Sequence, residues 1–485
     1  MKNKVQLITY VDRLGCKTLK DLKLLMRNQL KDLFGGVHIL PFYYPIDGED
    51  AGFDPINHQK VDPRLGDWYD LKSLSQDVDV MADLIVNHVS AQSEQFQDYL
   101  QKGSHSEFAS MFLSFDTVFP NGATEAEILA IYRPRPSLPF TKFKLADGSN
   151  KLIWTTFTSN QIDIDVKSKT GEQYLAGILD IFQKAGITMI RLDAAGYAIK
   201  KPGTSCFMIE ETFEFIDELS EKARSRGIEI LVEIHSYYKT QIEIAKRTDY
   251  VYDFALPVLV LDTLFNKNTR SLKKWLEVSP RNAITVLDTH DGIGIVDVGS
   301  ENGKAGLIED SILNNIVDQI HENSNGNSRK ATGEAASNLD LYQVNCTYFD
   351  ALGRDDQAYL IARAIQFFVP GIPQVYFVGL FAGENDMELL AKTNVGRDIN
   401  RHYYTIQEID QQIERPLIKH LFELIRFRND HPAFYGEFSL KESVDHILHI
   451  RWENGSEIAE LIIDLKIMRL RILYSDGGEI HELKF

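Results

Sequence analysis

Three carboxylates, each at the end of an apolar run, are the residues of this sequence best suited to chemistry. Asp193 ends the run MIRLD, Glu233 follows EILV, and Asp291 ends VLDTHD. Burying an unpaired charge is costly, so acids at the ends of buried strands usually serve a purpose. Each acid alone could instead cap a helix or pair with a surface cation. Three of them, with Arg191 two residues before the first, favour an active site.

Two carboxyl groups are what the cleavage of a glycosidic bond needs, one as the nucleophile and the other as the proton donor. A nearby cation lowers the pKa of a carboxyl group, so Arg191 should keep Asp193 ionised as the nucleophile. Glu233 has apolar neighbours in the sequence, which should raise its pKa and suit it to the acid/base role. Asp291, beside His290, is expected to bind sugar hydroxyls and to stabilise the transition state.

Apolar runs of strand length alternate with helical periodicity along most of the chain. The predicted strands are 5–10, 37–40, 81–86, 189–193, 228–233, 251–254, 284–287 and 373–378. The predicted helices are 19–33, 73–80, 172–184, 213–224, 308–320, 356–368 and 417–428. Eight strands with helices between them predict an α/β fold, a (β/α)8 TIM barrel. The active site of such a barrel lies at the carboxyl ends of its strands, where the three acids are expected on successive strands.

Two long stretches interrupt this alternation, and the end of the chain changes pattern. We predict a barrel domain formed by residues 1–87, 168–292 and 354–433, with inserted domains at 88–167 and 293–353. Residues 434–485 show the period-two pattern and the NG and GG turns of a small antiparallel β domain.

Composition limits the partners and the compartment. The net charge of −18 repels nucleic acid and anionic membranes, so an anionic substrate would need a locally positive pocket. The three cysteines are far apart and form no CxxC motif, which argues for a reducing compartment without disulfides or a zinc site. We found no signal peptide or membrane-spanning run, so the predicted location is the cytoplasm.

The motifs DLIVNH, RLDA, EIH and THD, in this order, resemble the four motifs of the α-amylase superfamily, glycoside hydrolase family 13. Longer segments, including GEDAGFDPINHQKVDPRLGDW, IYRPRPSLPFT and GRDINRHYY, resemble its sucrose phosphorylase branch. The resemblance implies a retaining glycosyltransferase in which Asp193 attacks the glucosyl unit of sucrose and Glu233 protonates the departing fructose. Inorganic phosphate would then release α-D-glucose 1-phosphate. It also implies a homodimer without a metal or a cofactor.

The matching positions imply two groups of substrate-binding residues. Those for the glucosyl unit are Asp50, His88, Arg191, His290, Asp291 and Arg397, with Phe53 and Phe157 as aromatic faces. Those expected to face fructose or phosphate are Pro134, Arg135, Asp340 and Gln343. Further substrate-binding candidates are His235, Leu341 and Tyr342. Arg135 and Arg397 could supply the charge that phosphate needs. Without the resemblance, each histidine could be a hydrogen-bonded residue at a strand end, LDLYQVN a loop and YRPRP a rigid turn.

Other activities remain open. Relatives in this branch would act on sucrose 6′-phosphate, glucosylglycerate or glucosylglycerol, although YRPRPSLPFT and LDLYQ favour unphosphorylated sucrose. Plain hydrolysis or transglucosylation is a further alternative. A non-catalytic sugar-binding relative is the alternative from another functional class, but such relatives usually lack one of the three acids. The C-terminal domain is short for the family, but this difference affects none of the motif residues.

Overall fold

A closed barrel of eight parallel strands forms the centre of the protein, as the sequence predicts. The computed structural model describes residues 1–48, 51–134, 137–301, 303–335 and 343–485. The barrel strands are β1 Gln6–Thr9, β2 Gly36–Ile39, β3 Asp79–Ile85, β4 Met189–Asp193, β5 Glu229–Val232, β6 Tyr250–Asp253, β7 Ala283–Thr285 and β8 Ile372–Tyr376. Each strand pairs with its neighbours in the chain, and β8 closes the barrel against β1.

Helices separate the strands along the chain. They are Leu19–Arg27, Trp68–Ser75, Lys169–Ala185, Glu210–Arg224, Tyr238–Ala245, Leu256–Asn266, Arg270–Val278, Asp356–Phe368 and Pro416–Asp430. The helix Lys169–Ala185 shows why these segments fold as they do. Its Ser168 side chain caps the first turn, its buried face carries Leu175 and Phe182 among other apolar residues, and Gly186 ends it in the left-handed conformation.

Three boundaries in two of the predicted helices are wrong by five or six residues. The predicted helix 73–80 begins earlier, at Trp68, because the Asp67 side chain accepts hydrogen bonds from the backbone N–H groups of Tyr69 and Asp70. It ends at Ser75, and the residues from 79 onward belong to β3. The predicted helix 19–33 ends at Arg27.

Two segments interrupt the alternation where the sequence predicts insertions. Between β3 and β4 lie the helices Glu94–Lys102, Phe115–Val118 and Glu125–Ala130 and the strands His88–Ser90, Phe140–Lys144, Asn150–Trp154 and Gln161–Asp163. Between β7 and β8 lie the helices Asp310–Asn323, Asn327–Ala335 and Tyr348–Ala351 and the paired strands Ile293–Gly294 and Gln343–Val344. The predicted domain boundaries themselves stay predictions.

Shorter elements complete the barrel loops. These are the strands Tyr43–Tyr44 and Asn57–Val61 and the helices Phe377–Leu380, Met387–Thr393 and Ile406–Ile413, with 3-10 turns that include Ala195–Tyr197, Val296–Val298 and Gly396–Asn400. None of the helices in the described ranges is long and apolar enough to cross a membrane.

A five-stranded antiparallel sheet ends the chain. Its strands are Glu437–Leu440, Ile447–Asn454, Glu457–Asp464, Arg469–Asp476 and Glu479–Leu483, paired in chain order. Trp452 of this sheet donates a hydrogen bond of 2.7 Å from Nε1 to the carbonyl oxygen of Phe368. The buried apolar residues of the sheet are continuous with those of the barrel, so the sheet packs directly on the barrel helices.

Candidate active site

Arg191 of β4 joins three carboxylates at the centre of the site. Its Nη1 lies 2.5 Å from Asp83 Oδ1 and 3.1 Å from Asp193 Oδ1, and its Nη2 lies 2.5 Å from Glu233 Oε1. Burial of the guanidinium lowers its pKa, but Glu233, Asp83 and Asp193 outweigh burial and hold the pKa of Arg191 well above its ordinary value. The two acids predicted from the sequence to do the chemistry therefore share one cation.

Asp83 is an acid of the site that sequence reasoning missed. It lies inside β3 with no exposed surface, and its Oδ2 is 3.1 Å from His38 Nε2. Burial raises the pKa of Asp83, but His38 and Arg191 outweigh it and lower the pKa to about 2. The available signal was a carboxylate in the middle of an apolar strand, in the motif DLIVNH. A buried carboxylate in this place fixes the orientation of Arg191.

The apolar setting expected for Glu233 is wrong. Its neighbours Val232 and Ile234 are buried, but its carboxylate pairs with Arg191 and is 13% exposed. Asp193 has a similar exposure of 14%. Both side chains therefore reach solvent from the same edge of the barrel, at the ends of the adjacent strands β4 and β5.

The backbone turns sharply after Asp193. Ala194 has φ 54°, in the left-handed region that residues with a Cβ rarely adopt, and the 3-10 turn Ala195–Tyr197 follows. Such backbone strain concentrates at functional sites, where the surrounding structure holds it.

The sequence prediction that Asp291 lies on the strand next to those of the other two acids is wrong. The strand β6 lies between β5 and β7, and Asp291 lies in the loop beyond β7. Its Oδ1 is 2.8 Å from Arg397 Nη1, 3.7 Å from His290 Nε2 and 3.8 Å from Arg401 Nη2. Burial raises the pKa of Asp291, but Arg397, His290 and Arg401 together hold it well below its ordinary value.

Arg401 is a second residue that sequence reasoning missed, although it lies in the quoted motif GRDINRHYY. It is 1% exposed, and its Nε donates a hydrogen bond of 2.9 Å to the carbonyl oxygen of His290. The neighbouring Asn400 donates from Nδ2 to the carbonyl oxygen of Thr289, also at 2.9 Å. The segment after Gly396 thus holds the backbone that presents Asp291.

Aromatic side chains line the same place. The rings of Phe53 and His290 stack at 5.0 Å, and the guanidinium of Arg191 lies 5.4 Å from the centre of the Phe53 ring. His88 contacts the Phe53 carbonyl oxygen at 3.0 Å through Nε2, and its ring lies 5.5 Å from that of Phe157. Burial lowers the pKa of His290 well below its ordinary value despite the opposing effect of neighbouring Asp291. The predicted sugar-binding residues in the described part of the chain therefore gather around the acids.

His235 and Gln343 form a second group of side chains close to Glu233 and Asp291, whose charges raise the pKa of His235 against the lowering effect of burial. The His235 ring stacks on Phe254 at 3.8 Å, and its Nδ1 lies 2.9 Å from Asp297 Oδ2. Gln343 Nε2 lies 3.5 Å from His235 Nε2, and Gln343 Oε1 accepts a hydrogen bond of 3.2 Å from the backbone N–H of Gly292.

The other predicted acceptor residues fall mostly outside the described ranges. These are Arg135, Asp340, Leu341 and Tyr342, and the predicted glucosyl residue Asp50 lies outside them as well. Close to Pro134, the ring of Tyr132 stacks on Phe207 at 4.5 Å. Phe207 packs on Tyr197 at 4.6 Å, and Tyr197 lies 5.0 Å from Phe157. A continuous row of rings thus links the YRPRP segment to the acids.

Comparison with known proteins identifies the family. The alpha-amylase catalytic domain matches residues 29–291. The chain belongs to the alpha-amylase family. Sucrose phosphorylase of Agrobacterium vitis is 61% identical over 464 residues, 96% of this chain and 95% of that protein. Sucrose phosphorylase of Bifidobacterium adolescentis is 53% identical over 469 residues, 96% and 93% of the two chains.

A solved crystal structure is closely similar to this one. It is the sucrose 6F-phosphate phosphorylase from Thermoanaerobacter thermosaccharolyticum, with a TM-score of 0.92, 41% identity, and coverage of 100% of this chain and 98% of that one. The overall fold therefore follows that of the crystallised phosphorylase.

A buried lysine joins the segment after β3 to the barrel loops of this alpha-amylase family member. Lys200 Nζ lies 2.6 Å from Asp163 Oδ2 and 2.8 Å from Asn87 Oδ1, and it donates a hydrogen bond to the Tyr197 carbonyl oxygen. Asp163 has no exposed surface and also accepts a hydrogen bond from the Thr156 hydroxyl. Within the described ranges, no group of three His, Cys, Asp or Glu side chains is arranged to hold a metal ion.

Proposed function

We propose that this protein is a sucrose phosphorylase, which converts sucrose and inorganic phosphate reversibly into α-D-glucose 1-phosphate and fructose. The observation that carries the proposal is the 61% identity to the Agrobacterium vitis sucrose phosphorylase over 96% of the chain. The acids and arginines gathered at one end of the barrel support it, because glucosyl transfer needs a nucleophile, a proton donor and stabilisation of positive charge.

The first half of the proposed reaction forms a covalent glucosyl ester. Asp193 attacks the anomeric carbon of the glucosyl unit, and Glu233 gives a proton to the departing fructose oxygen. In retaining enzymes these two carboxyl groups stand roughly 5–5.5 Å apart, and contact with a single guanidinium at Arg191 supports such a spacing here. Arg191 also favours the ionised form of Asp193.

The second half transfers the glucosyl unit to phosphate. A phosphate oxygen attacks the anomeric carbon as the bond to Asp193 breaks, and Glu233 takes up the proton that phosphate releases. Two inversions leave the product in the α configuration of sucrose. The carboxylate of Asp291, fixed by Arg397 and Arg401, stabilises the positive charge that develops on the sugar ring.

The proposed substrate-binding residues fall into two groups, one for each part of the reaction. Phe53, His88, Phe157, His290 and Arg397, with Asp50, bind the glucosyl unit. His235 and Gln343, together with the acceptor residues of the YRPRP and LDLYQ segments, bind fructose or phosphate. Arg135 and Arg397 supply positive charge for phosphate in a protein of net charge −18.

The expected location is the cytoplasm, and the expected assembly is a homodimer. Cys16, Cys206 and Cys346 are all buried and unbridged, which suits a reducing compartment. The family resemblance supports the dimer, and size-exclusion chromatography with light scattering tests it.

The test is to incubate the protein with sucrose, with and without inorganic phosphate, and to quantify glucose 1-phosphate, fructose and glucose. We expect phosphate-dependent glucose 1-phosphate equimolar with fructose, and no product from Asp193→Ala or Glu233→Ala. Asp262→Asn is the matched control, because this acid lies in the helix Leu256–Asn266 and bonds to Asn266.

Other outcomes distinguish the alternatives. Free glucose alone would make the protein a hydrolase. Product only from sucrose 6′-phosphate, glucosylglycerate or glucosylglycerol would move it to another activity of the branch, the first being that of the crystallised relative. Sugar binding without turnover of any of these substrates would indicate a non-catalytic relative.

A further inference from the structure

The ring of His235 is fixed on three sides. One face stacks on Phe254 with an interplanar angle of 14°, and the ring packs against the backbone at Gly294, where an added Cβ would lie 3.1 Å from His235 Cε1. Nδ1 lies 2.9 Å from Asp297 Oδ2. The side chain is 7% exposed. Little freedom is left for the ring to turn.

Asp297 is itself fully held, and sequence reasoning missed it. It has no exposed surface and lies in the 3-10 turn Val296–Val298. Its Oδ1 accepts hydrogen bonds from the Ser236 backbone N–H at 3.1 Å and from Gln241 Nε2 at 2.6 Å. The other oxygen, Oδ2, contacts His235. A carboxylate oxygen can only accept, so the contact places a proton on Nδ1 of His235.

The second ring nitrogen, Nε2, is therefore the atom through which His235 can contact a substrate. Nε2 lies 3.5 Å from Gln343 Nε2, on the side of the ring opposite Asp297. An amide nitrogen can only donate, so this contact does not use a proton carried by His235 Nε2, and that proton can be donated to a phosphate oxygen. The ionisable groups that act on the ring are Glu233, from the segment after β5 that also carries His235, and Asp297 and Asp291, from the segment after β7. Burial lowers the pKa of His235, but these three acids outweigh burial and raise it above the ordinary value.

We propose that Asp297 is a positioning residue for the acceptor half of the reaction, because it holds His235 with Nε2 as a proton-bearing donor to an anionic acceptor. The inference rests on the proposed function, in which that acceptor is inorganic phosphate. Phosphate must approach a site that contains the carboxylates of Glu233 and Asp291. A cationic imidazole beside these acids offsets their repulsion of phosphate. Water, as the competing acceptor, carries no charge and gains far less from this donor.

The first experiment follows the ring itself by NMR of protein labelled with 13C at histidine Cε1. His235→Gln identifies the His235 signal among the 13 histidines by its loss. We expect Asp297→Asn to lower the His235 pKa, because Asp297 is the acid that raises it most, whereas Asp262→Asn leaves it unchanged. An unchanged His235 pKa in Asp297→Asn would overturn the proposal. This readout needs no activity, so it decides the point even if the proposed function is wrong.

The second experiment compares acceptors. Asp297→Asn is expected to raise KM for phosphate about tenfold near neutral pH, since a hydrogen bond to a charged group is lost. Its rate of sucrose hydrolysis without phosphate should fall by a smaller factor than its rate of phosphorolysis. Equal losses in hydrolysis and phosphorolysis would mean a purely structural role and would contradict the proposal. Absence of glucose 1-phosphate from the parent protein would contradict the proposed function instead.

The pH profile gives the sign. His235 contributes its donated proton fully below its raised pKa, so phosphate affinity falls as the pH rises through that value. In Asp297→Asn the affinity for phosphate should begin to fall at a lower pH. In His235→Gln the part of this pH dependence that is due to the imidazole should vanish. Glucose 1-phosphate formation by the parent protein and His235→Gln over the same pH range supplies the comparison even if Asp297→Asn does not fold. Identical profiles in those two proteins would also reject the proposal.

Discussion

Two buried arginines of this barrel meet carboxylates in opposite ways. Arg363 has no exposed surface, and its Nη2 lies 2.8 Å from both oxygens of one acid, Asp288. Its other donors bind the Gln366 Oε1 and the Tyr359 hydroxyl. Arg191 instead faces three acids, two of which reach solvent. The first cluster balances its charge, and the second carries excess negative charge.

The difference separates a structural pair from a reactive one. A balanced buried pair in which every guanidinium nitrogen already donates a hydrogen bond has little left to offer a substrate. Excess negative charge around one cation costs stability in the unliganded protein but favours a sugar ring that becomes positive in the transition state. Asp288 and Asp291 are close in the sequence, yet Asp288 belongs to the first kind of cluster and Asp291 to the site.

The largest effect is expected from Glu233→Gln. Removing the proposed proton donor should lower kcat for sucrose phosphorolysis by about 10³-fold or more. Arg191 keeps its pairs with Asp83 and Asp193 in this variant, so the melting temperature should stay equal to that of the parent protein or rise. Calorimetry and a glucose 1-phosphate assay measure the two. A clear loss of stability would contradict the view that the Arg191 cluster is overcharged.

Arg363→Met tests the balanced pair. It leaves Asp288 buried without its cation, which should lower the free energy of unfolding by about 3–5 kcal/mol. Denaturant unfolding measures the loss, and Arg64→Met, at an arginine that is 52% exposed, is the surface control. A loss below about 1 kcal/mol would remove the distinction between the two clusters.

Asp83→Asn sharpens the comparison, because Asp83 is the one fully buried acid among the three at Arg191. Its pKa of about 2 lies below the ordinary value of 3.8. The ion pair therefore stabilises the fold above pH 4, by about 2 kcal/mol, and this contribution disappears as the pH falls toward 2. Unfolding curves of the parent protein and the variant should converge over that interval. A difference that persists at pH 2 would contradict the assignment.

Arg397→Lys should give the smallest effect. Arg397 is 32% exposed and pairs with Asp291 at 2.8 Å. Lysine keeps the charge but loses the planar fork, so KM for sucrose or phosphate should rise about threefold to tenfold with unchanged stability. Steady-state kinetics with each substrate varied in turn measures the change. A total loss of activity would place Arg397 among the essential groups.

The barrel was predictable because buried parallel strands read as short apolar runs between helical segments. Asp193 and Glu233 were predictable because they directly follow such runs. Asp83 was not singled out, since a charge inside a strand has meaning only when its partner strand is known. The placement of Asp291 depends on the loop after β7, and the start of the helix Trp68–Ser75 depends on a single capping carboxylate.

The contact of Asp297 with His235 lay beyond sequence reasoning for a different reason. The two residues are 62 positions apart in the sequence. The sequences of β5 and β7 do not show that the loops after these two strands contact each other. The contact of Arg401 was equally hard to predict, because Arg401 donates its hydrogen bond to the backbone carbonyl oxygen of His290. Every residue type has such an oxygen, so the sequence gives no sign of the contact.

The buried Lys200 has a consequence for how the protein meets its surroundings. Its ammonium sits among the oxygens of Asn87, Asp163 and Tyr197, which form the kind of cage that a dissolved cation could occupy. A cation tethered to the chain cannot be diluted away, exchanged or removed by a chelator. Because buried ion pairs are screened by salt much less than exposed ones, this joint between the inserted segment and the barrel should change little with the ionic strength of the medium.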